Sequence, residues 1–256
     1  MQDTARTVAV ALAAVAQVVG SPVGSALAGR SVGDISDRTQ SLITPAGYAF
    51  TIWAVIFAGS LAWAGYQALP SQRGRALHRR TGWPLALAFA GNALWEVLFP
   101  LIGVSQPLVP AVLLFGIVTA TALAWSRVQD LRSEGLDRLL PTAVAGLLLG
   151  WVSVAAAVNV ASAGVALGAS ATGEQARLWA VFALVAVAVL ASALVLAAQT
   201  AAGPYALAVV WGLVAIAADG GPTVVTVSAL AAAATVAVAL GVRTVVRRDP
   251  ASLLVG

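Results

Sequence analysis

Residues 139–163 read LLPTAVAGLLLGWVSVAAAVNVASA, 25 positions without one ionisable side chain. The hydrocarbon core of a bilayer is crossed by about 20 apolar residues in helical form, so this run is long enough to span it. That reading decides the fold. Working outward, the same test finds seven more apolar stretches, each bounded by charge, Gly or Pro: 8–28, 46–69, 83–103, 107–125, 178–199, 203–218 and 223–245. The stretch at 203–218 is the shortest. Overall the chain is 60% hydrophobic and 9% charged, with mean hydropathy +0.93, whereas a soluble domain carries about a quarter charged residues. The expected fold class is all-α: a polytopic transmembrane helix bundle of about eight helices.

Orientation follows from the arginines, which are the only basic residues besides His78. Starting from a cytoplasmic N-terminus, eleven of the fourteen arginines (Arg6; Arg73, Arg75, Arg79, Arg80; Arg127, Arg132, Arg138; Arg243, Arg247, Arg248) fall on inner segments. Only Arg30, Arg38 and Arg177 fall outside. Cytoplasmic loops are enriched in Arg and Lys, so the bias supports an even number of spans with both termini cytoplasmic, in a bacterial inner or plasma membrane. The formal charge of +4 therefore reads as topology, not as a nucleic-acid footprint. A competing reading exists at the N-terminus, where Arg6, the apolar run 8–19 and Ala26-Leu27-Ala28 imitate a cleavable signal peptide. Cleavage would leave seven spans and place the new N-terminus outside, so a retained first span is expected.

The chain lacks Cys and Lys, which removes disulfides, thiolate metal sites, thiol nucleophiles and Schiff-base lysines. With one His and one acid deep in a span, neither a metal centre nor a nucleophile–base pair can be assembled. No catalytic residue, no metal site and no required cofactor is expected, and the protein is not expected to be an enzyme.

Four local signals stand out. Thr44-Pro45-Ala46-Gly47-Tyr48-Ala49-Phe50-Thr51-Ile52-Trp53 opens the second span; Pro suits a first helical turn, and Tyr and Trp suit a membrane interface. Asn92-Ala93-Leu94-Trp95-Glu96 lies in the third span. Trp151, Ala155 and Asn159 lie in the fifth, and at this spacing the side chains drift by only about 80° around the helix. They make one stripe: an aromatic wall, a small gap and a polar tip. A flat ligand suits that stripe, and so does a helix–helix contact with an interhelical amide bond. Glu96 is the one acid well inside an assigned span, where a charge costs about 2.5–3.5 kcal/mol. Either it is a proton or polar relay, or it is a neutral acid hydrogen-bonded to a neighbouring helix. Asp219, in Asp219-Gly220-Gly221-Pro222, reads as a turn residue at the outer surface, and His78, among arginines, as solvated.

In order and content these pieces resemble the tryptophan-rich sensory protein family, TspO/MBR, whose animal members are the translocator proteins. TPAGYAFTIWAVIF at 44–57, NALW at 92–95 and LPTAVAGLLLGWVSVAAAVN at 140–159 stand where the family has its helix-two, helix-three and helix-five elements. The similarity covers residues 8–163. It implies a TspO-like five-helix core at 1–163, followed by three additional helices and a short cytoplasmic tail at 164–256. It further implies an intramembrane pocket for porphyrin-, sterol- or carotenoid-like molecules, capped by the loop between the first two spans. Carried over residue by residue, the pocket takes in Trp53, Asn92, Trp95, Trp151, Ala155 and Asn159, with Tyr48 and Phe50 of the helix-two element completing the expected lining; the relay at Glu96 is a reading of the residues, not of the resemblance. The implied partners are a hydrophobic small molecule such as a porphyrin, membrane lipid, and a second copy or another membrane protein.

Departures from the family pattern are Tyr48 for Trp, Val154 for Phe, Glu96 for a small polar residue, and eight spans for five. The alternative function is a proton-coupled secondary transporter using Glu96. Outer-loop Arg30 and Arg38 are the expected partners for ligand carboxylates, through bidentate guanidinium pairing.

Overall fold

The computed structural model describes residues 2–129 and 135–246, the side chain of Arg138 excepted. Met1, Arg132, Arg247 and Arg248 lie outside the described residues. Every regular element among those described is helical: α1 Gln2–Ala28, α2 Val32–Arg38, a 3-10 turn Gly47–Thr51, α3 Ile52–Ala68, α4 Ala76–Ile102, α5 Leu108–Val128, α6 Leu136–Ala166, α7 Gly173–Ala197, α8 Ala202–Ala218 and α9 Thr223–Val246. Counting the 3-10 turn with α3, seven of these are long and apolar enough to cross a membrane; α8 is shorter. Helix ends extend past the apolar runs. For example, α4 begins at Ala76 and α6 at Leu136, because backbone hydrogen bonding continues where the side chains turn polar.

Contacts at the helix ends establish the up-and-down order. At one end Arg79 pairs with Asp3, Arg127 Nη1 donates to the Arg80 carbonyl, and Gln129 Oε1 accepts from the Gln199 and Thr200 amides. Arg243 donates to the Ala198 carbonyl at the same end. At the other end Arg30 meets the Pro100 and Leu101 carbonyls and Gln40 Nε2 donates to Asp219. Although α8 rises only about 25 Å over its 17 residues, it begins beside Thr200 at the first end and stops at Asp219 at the second. It runs from one end of the bundle to the other, alongside the seven longer helices found among the described residues.

Five helices close a ring: α1 packs on α4, α4 on α5, α5 on α6, α6 on α3, and α3 on α1. Outside it, α8 lies on α6, α9 on α8 and α7 on α9. Glycine sets two of these crossings. A Cβ on Gly24 would sit 2.4 Å from the Glu96 carbonyl oxygen, and one on Gly150 would sit 2.3 Å from the Tyr205 carbonyl oxygen. The α1–α4 and α6–α8 backbones therefore touch directly, which is how small residues bring helices together where lipid removes the hydrophobic drive.

His78 is a correction. It is fully buried in α4, not solvated among arginines. Its Nδ1 accepts from Trp63 Nε1 at 3.3 Å and its Nε2 lies 3.9 Å from Asp137 Oδ1. Asp137 is also buried, pairs with Arg75 and accepts from the Tyr66 hydroxyl at 2.9 Å. These contacts join α3, α4 and α6 at the end of the bundle where Arg79 meets Asp3. Arginine proximity in sequence misleads here because Arg75, Arg79 and Arg80 turn outward around the helix start while His78 turns in.

Candidate functional site

Inside the ring, toward the end where Arg30 meets the α4 carbonyls, side chains from α3, α4 and α6 converge on one cavity. Its walls include Trp53, Asn92, Trp95, Phe99, Leu114, Trp151, Val154, Ala155, Val158, Asn159 and Ser162, and Val32, Ser36, Pro45 and Phe50 contribute from the loop between α1 and α3. Trp151 anchors the aromatic part: its ring takes edge-to-face contacts from Trp53 and Phe50, each at 6.0 Å between centroids. Trp95 stacks on Phe99 at 4.6 Å. Such pairs hold the rings in fixed orientations, each adding about 0.5–1.5 kcal/mol beyond burial.

Asn159 carries the polar end. It sits one turn beyond Ala155, whose carbonyl accepts from Asn159 Nδ2 at 3.0 Å, while Asn159 Oδ1 accepts from Trp95 Nε1 at 3.3 Å. The α6 amide thus fixes the α4 indole across the slot. Asn92, fully buried, stands in the α4 wall. The enclosed volume is about 40 Å³, and a water needs about 10–15 Å³ on this measure. In this conformation the slot has room for a few waters, and a fused-ring guest requires it to open.

Of the residues singled out in the sequence, Phe50, Trp53, Asn92, Trp95, Trp151, Ala155 and Asn159 line the cavity. Tyr48 does not. It is exposed and meets Trp211 of α8 edge-on at 5.4 Å, because the 3-10 turn points Tyr48 and Phe50 to different sides. Glu96 also stays off the cavity. It is buried on the α1 side of α4, where a Cβ on Gly20 would lie 2.5 Å from its Oε2. Arg30 is occupied at the α4 carboxyl end, donating at 2.8 and 3.1 Å to the Pro100 and Leu101 carbonyls. Arg38 is exposed, and neither arginine lines the slot.

Sequence reasoning missed Val32, Ser36, Pro45, Phe99, Leu114, Val154, Val158 and Ser162 as lining residues. Phe99 stands one turn from Trp95, and Val158 and Ser162 continue the α6 stripe, so helical spacing could have found these three. The loop residues had no such signal.

Helix α8 explains the small residue at 154. Val154 packs against Gly212, where an added Cβ would lie 3.0 Å from Val154 Cγ1, so an aromatic ring at 154 would collide with α8. The same helix holds the cap of the slot. Ala46 N–H donates to the Ala215 carbonyl at 3.0 Å, and Trp211 Nε1 donates to the Ala49 carbonyl at 2.9 Å. On the other side of the loop, α2 is closed by a reciprocal cap. Asp34 Oδ2 accepts from the Ser31 amide at 2.6 Å and hydroxyl at 2.9 Å, and Ser31 Oγ accepts from the Asp34 amide. Those Ser31 donors hold the Asp34 carboxyl below the usual carboxylate range.

With this geometry in place, comparison with known proteins is informative. One family model, described as TSPO-like protein, matches residues 5–242, a range that runs from α1 well into α9. No curated protein matches the chain, and no solved structure does.

Proposed function

The chain belongs to the TSPO-like protein family and is an integral membrane protein; from that premise we propose that it binds a hydrophobic, planar or fused-ring small molecule in the slot between α3, α4 and α6. The role is transport, sensing or regulation, achieved by binding without bond-making, and no cofactor takes part. One observation carries the reading: Trp53, Trp95 and Trp151, with Asn92 and Asn159, reach a common cavity from three separate helices. Three indoles give a flat guest faces and edges to stack on, and few polar groups compete for its position. Guest-binding pockets typically offer about 300–1,000 Å³. Binding therefore includes outward movement of the cap, whose residues Val32, Ser36, Pro45 and Phe50 close the slot on the outer side. Guests of porphyrin, sterol or carotenoid type share the required shape. Membrane lipid surrounds the ring, a second copy or another membrane protein is the natural macromolecular partner, and both termini face the cytoplasm of a bacterial cell.

The test is quenching of intrinsic Trp fluorescence by protoporphyrin IX, with sterols and carotenoids as competitors, in the purified chain and in Trp151→Phe and Asn159→Ala. Saturable quenching that both substitutions weaken supports the slot. Identical curves in all three proteins mean that the stripe serves packing alone.

A further inference from the structure

Between α1 and α4, directly behind the slot, lies a polar cluster that helix packing does not account for. Gln17 and Asn92 are fully buried and Glu96 is 3% exposed. Asn92 Nδ2 is their hub: it donates to Glu96 Oε1 at 3.4 Å and to Gln17 Oε1 at 3.5 Å. Both contacts are long, and three polar atoms around them have no partner: Gln17 Nε2, Asn92 Oδ1 and Glu96 Oε2. A buried polar atom left unpaired costs about 1–3 kcal/mol, and with three of them in one cluster the same donors and acceptors admit a second state, at no greater cost in unpaired atoms, once the Glu96 carboxyl can itself donate.

That state is reached by turning the Asn92 amide over, with Gln17 following. Asn92 Oδ1 then accepts from Gln17 Nε2 and from a protonated Glu96 carboxyl, while Asn92 Nδ2 and Gln17 Oε1 are released. Because Asn92 also lines the slot, the turn exchanges what the wall offers a guest. With Nδ2 held toward α1, the remaining polar atom is an acceptor; after the turn it is a donor.

We propose that Asn92 is a proton-linked selector of the guest: with Glu96 ionised the slot presents a carbonyl oxygen and takes guests carrying O–H or N–H, and with Glu96 protonated it presents N–H and takes guests whose polar atoms only accept. This rests on the slot reading above and extends it to the class of guest. Guests of the second kind bind with uptake of one proton from solvent onto the Glu96 carboxylate.

Among the described residues no other titratable group stands within this cluster. On α1 the charged residues are Asp3 and Arg6 at the inner end, and on α4 they are Arg79 and Arg80, with His78 beside them; Arg79 is about 25 Å along the helix from Glu96. Arg127 of α5 and Asp137 of α6 also lie at the inner end. At the outer end Arg30 is held on the Pro100 and Leu101 carbonyls, and α2 contributes Asp34, Asp37 and Arg38, all exposed.

The experiment uses two steroids on one frame: progesterone, whose polar atoms are all acceptors, and pregnenolone, in which a hydroxyl that both donates and accepts replaces the 3-ketone. Calorimetric titrations of the full chain in nanodiscs, run in two buffers of different ionisation enthalpy, count the protons exchanged. Progesterone is expected to bind with proton uptake and to weaken by up to about tenfold per pH unit once Glu96 ionises. Pregnenolone binding is expected to stay flat with pH. Glu96→Gln, which offers both a donor and an acceptor at every pH, should flatten the progesterone profile without abolishing binding, and the two-buffer measurement needs no variant at all. Progesterone binding without proton exchange and without pH dependence overturns the switch and leaves the slot standing. Failure of both steroids to bind or to displace protoporphyrin IX overturns both.

Discussion

Gly150→Ala tests whether α8 is a structural wall of the slot or a passive neighbour. The new Cβ would start 2.3 Å from the Tyr205 carbonyl oxygen and 2.9 Å from the Ala208 Cβ. A carbon rests about 3.3 Å or more from a carbonyl oxygen, so α6 and α8 must separate by about 1 Å. That displacement stretches the 2.9 Å bond from Trp211 to Ala49 beyond bonding range and loosens the Ala46–Ala215 bond. Overpacking costs about 1–3 kcal/mol and the lost hydrogen bond about 1 kcal/mol, against about 1 kcal/mol gained by Ala over Gly in a helix. The net is a loss of about 2 kcal/mol, or about 4–8 °C in melting temperature for a chain of this size. Near-ultraviolet circular dichroism during heating in detergent reads both the transition and the Trp environments. Gly116→Ala is the control, because nothing lies within 4 Å of a Cβ there, and it should hold or gain stability. If Gly150→Ala melts with the wild type and leaves porphyrin quenching unchanged, α8 neither presses on α6 nor holds the cap.

Three further outcomes follow from the same contacts. Arg30→Gln removes charged donors from the Pro100 and Leu101 carbonyls at the end of α4; a loss of about 1–2 kcal/mol is expected in thermal unfolding, together with faster amide exchange near residue 100. Asp34 is held below its usual range by Ser31, so its contribution to α2 is complete above the unfolded-state value of about 3.9 and fades as pH falls through the lower folded value. Proteolysis of the α1–α3 loop should therefore accelerate in acid, while Asp34→Asn should give an elevated rate that no longer changes with pH. Asp137→Asn takes the anion from Arg75, Tyr66 and His78. A destabilisation of about 1–3 kcal/mol without any change in slot affinity would locate that cluster as a fastening of the helix ends, whereas an affinity change would tie it to the slot.

What the sequence made legible, and what it concealed, divides along one physical line. Periodicity within a helix reports which residues share a stripe, and Trp151, Ala155 and Asn159 do share one on α6. It also places Asn92 and Trp95 near each other on α4. It says nothing about rotation of one helix relative to the next, and that rotation decides the two cases where side chains part company. Glu96 follows Trp95 by one position, about 100° around the helix, which is enough to carry it out of the slot and against Gly20 of α1. Tyr48 and Phe50 are separated in the same way by a 3-10 turn that an uninterrupted span from 46 did not anticipate. The short run at 203–218 shows the reverse. Its shortness alone left its crossing weakest, yet contacts at its two ends place it across the bundle, and Gly150 and Gly212 admit it so closely that Val154 must stay small. The valine at 154 and the path of α8 are therefore a single fact of packing: an aliphatic side chain in the slot wall is what lets α8 lie against the ring and hold its cap.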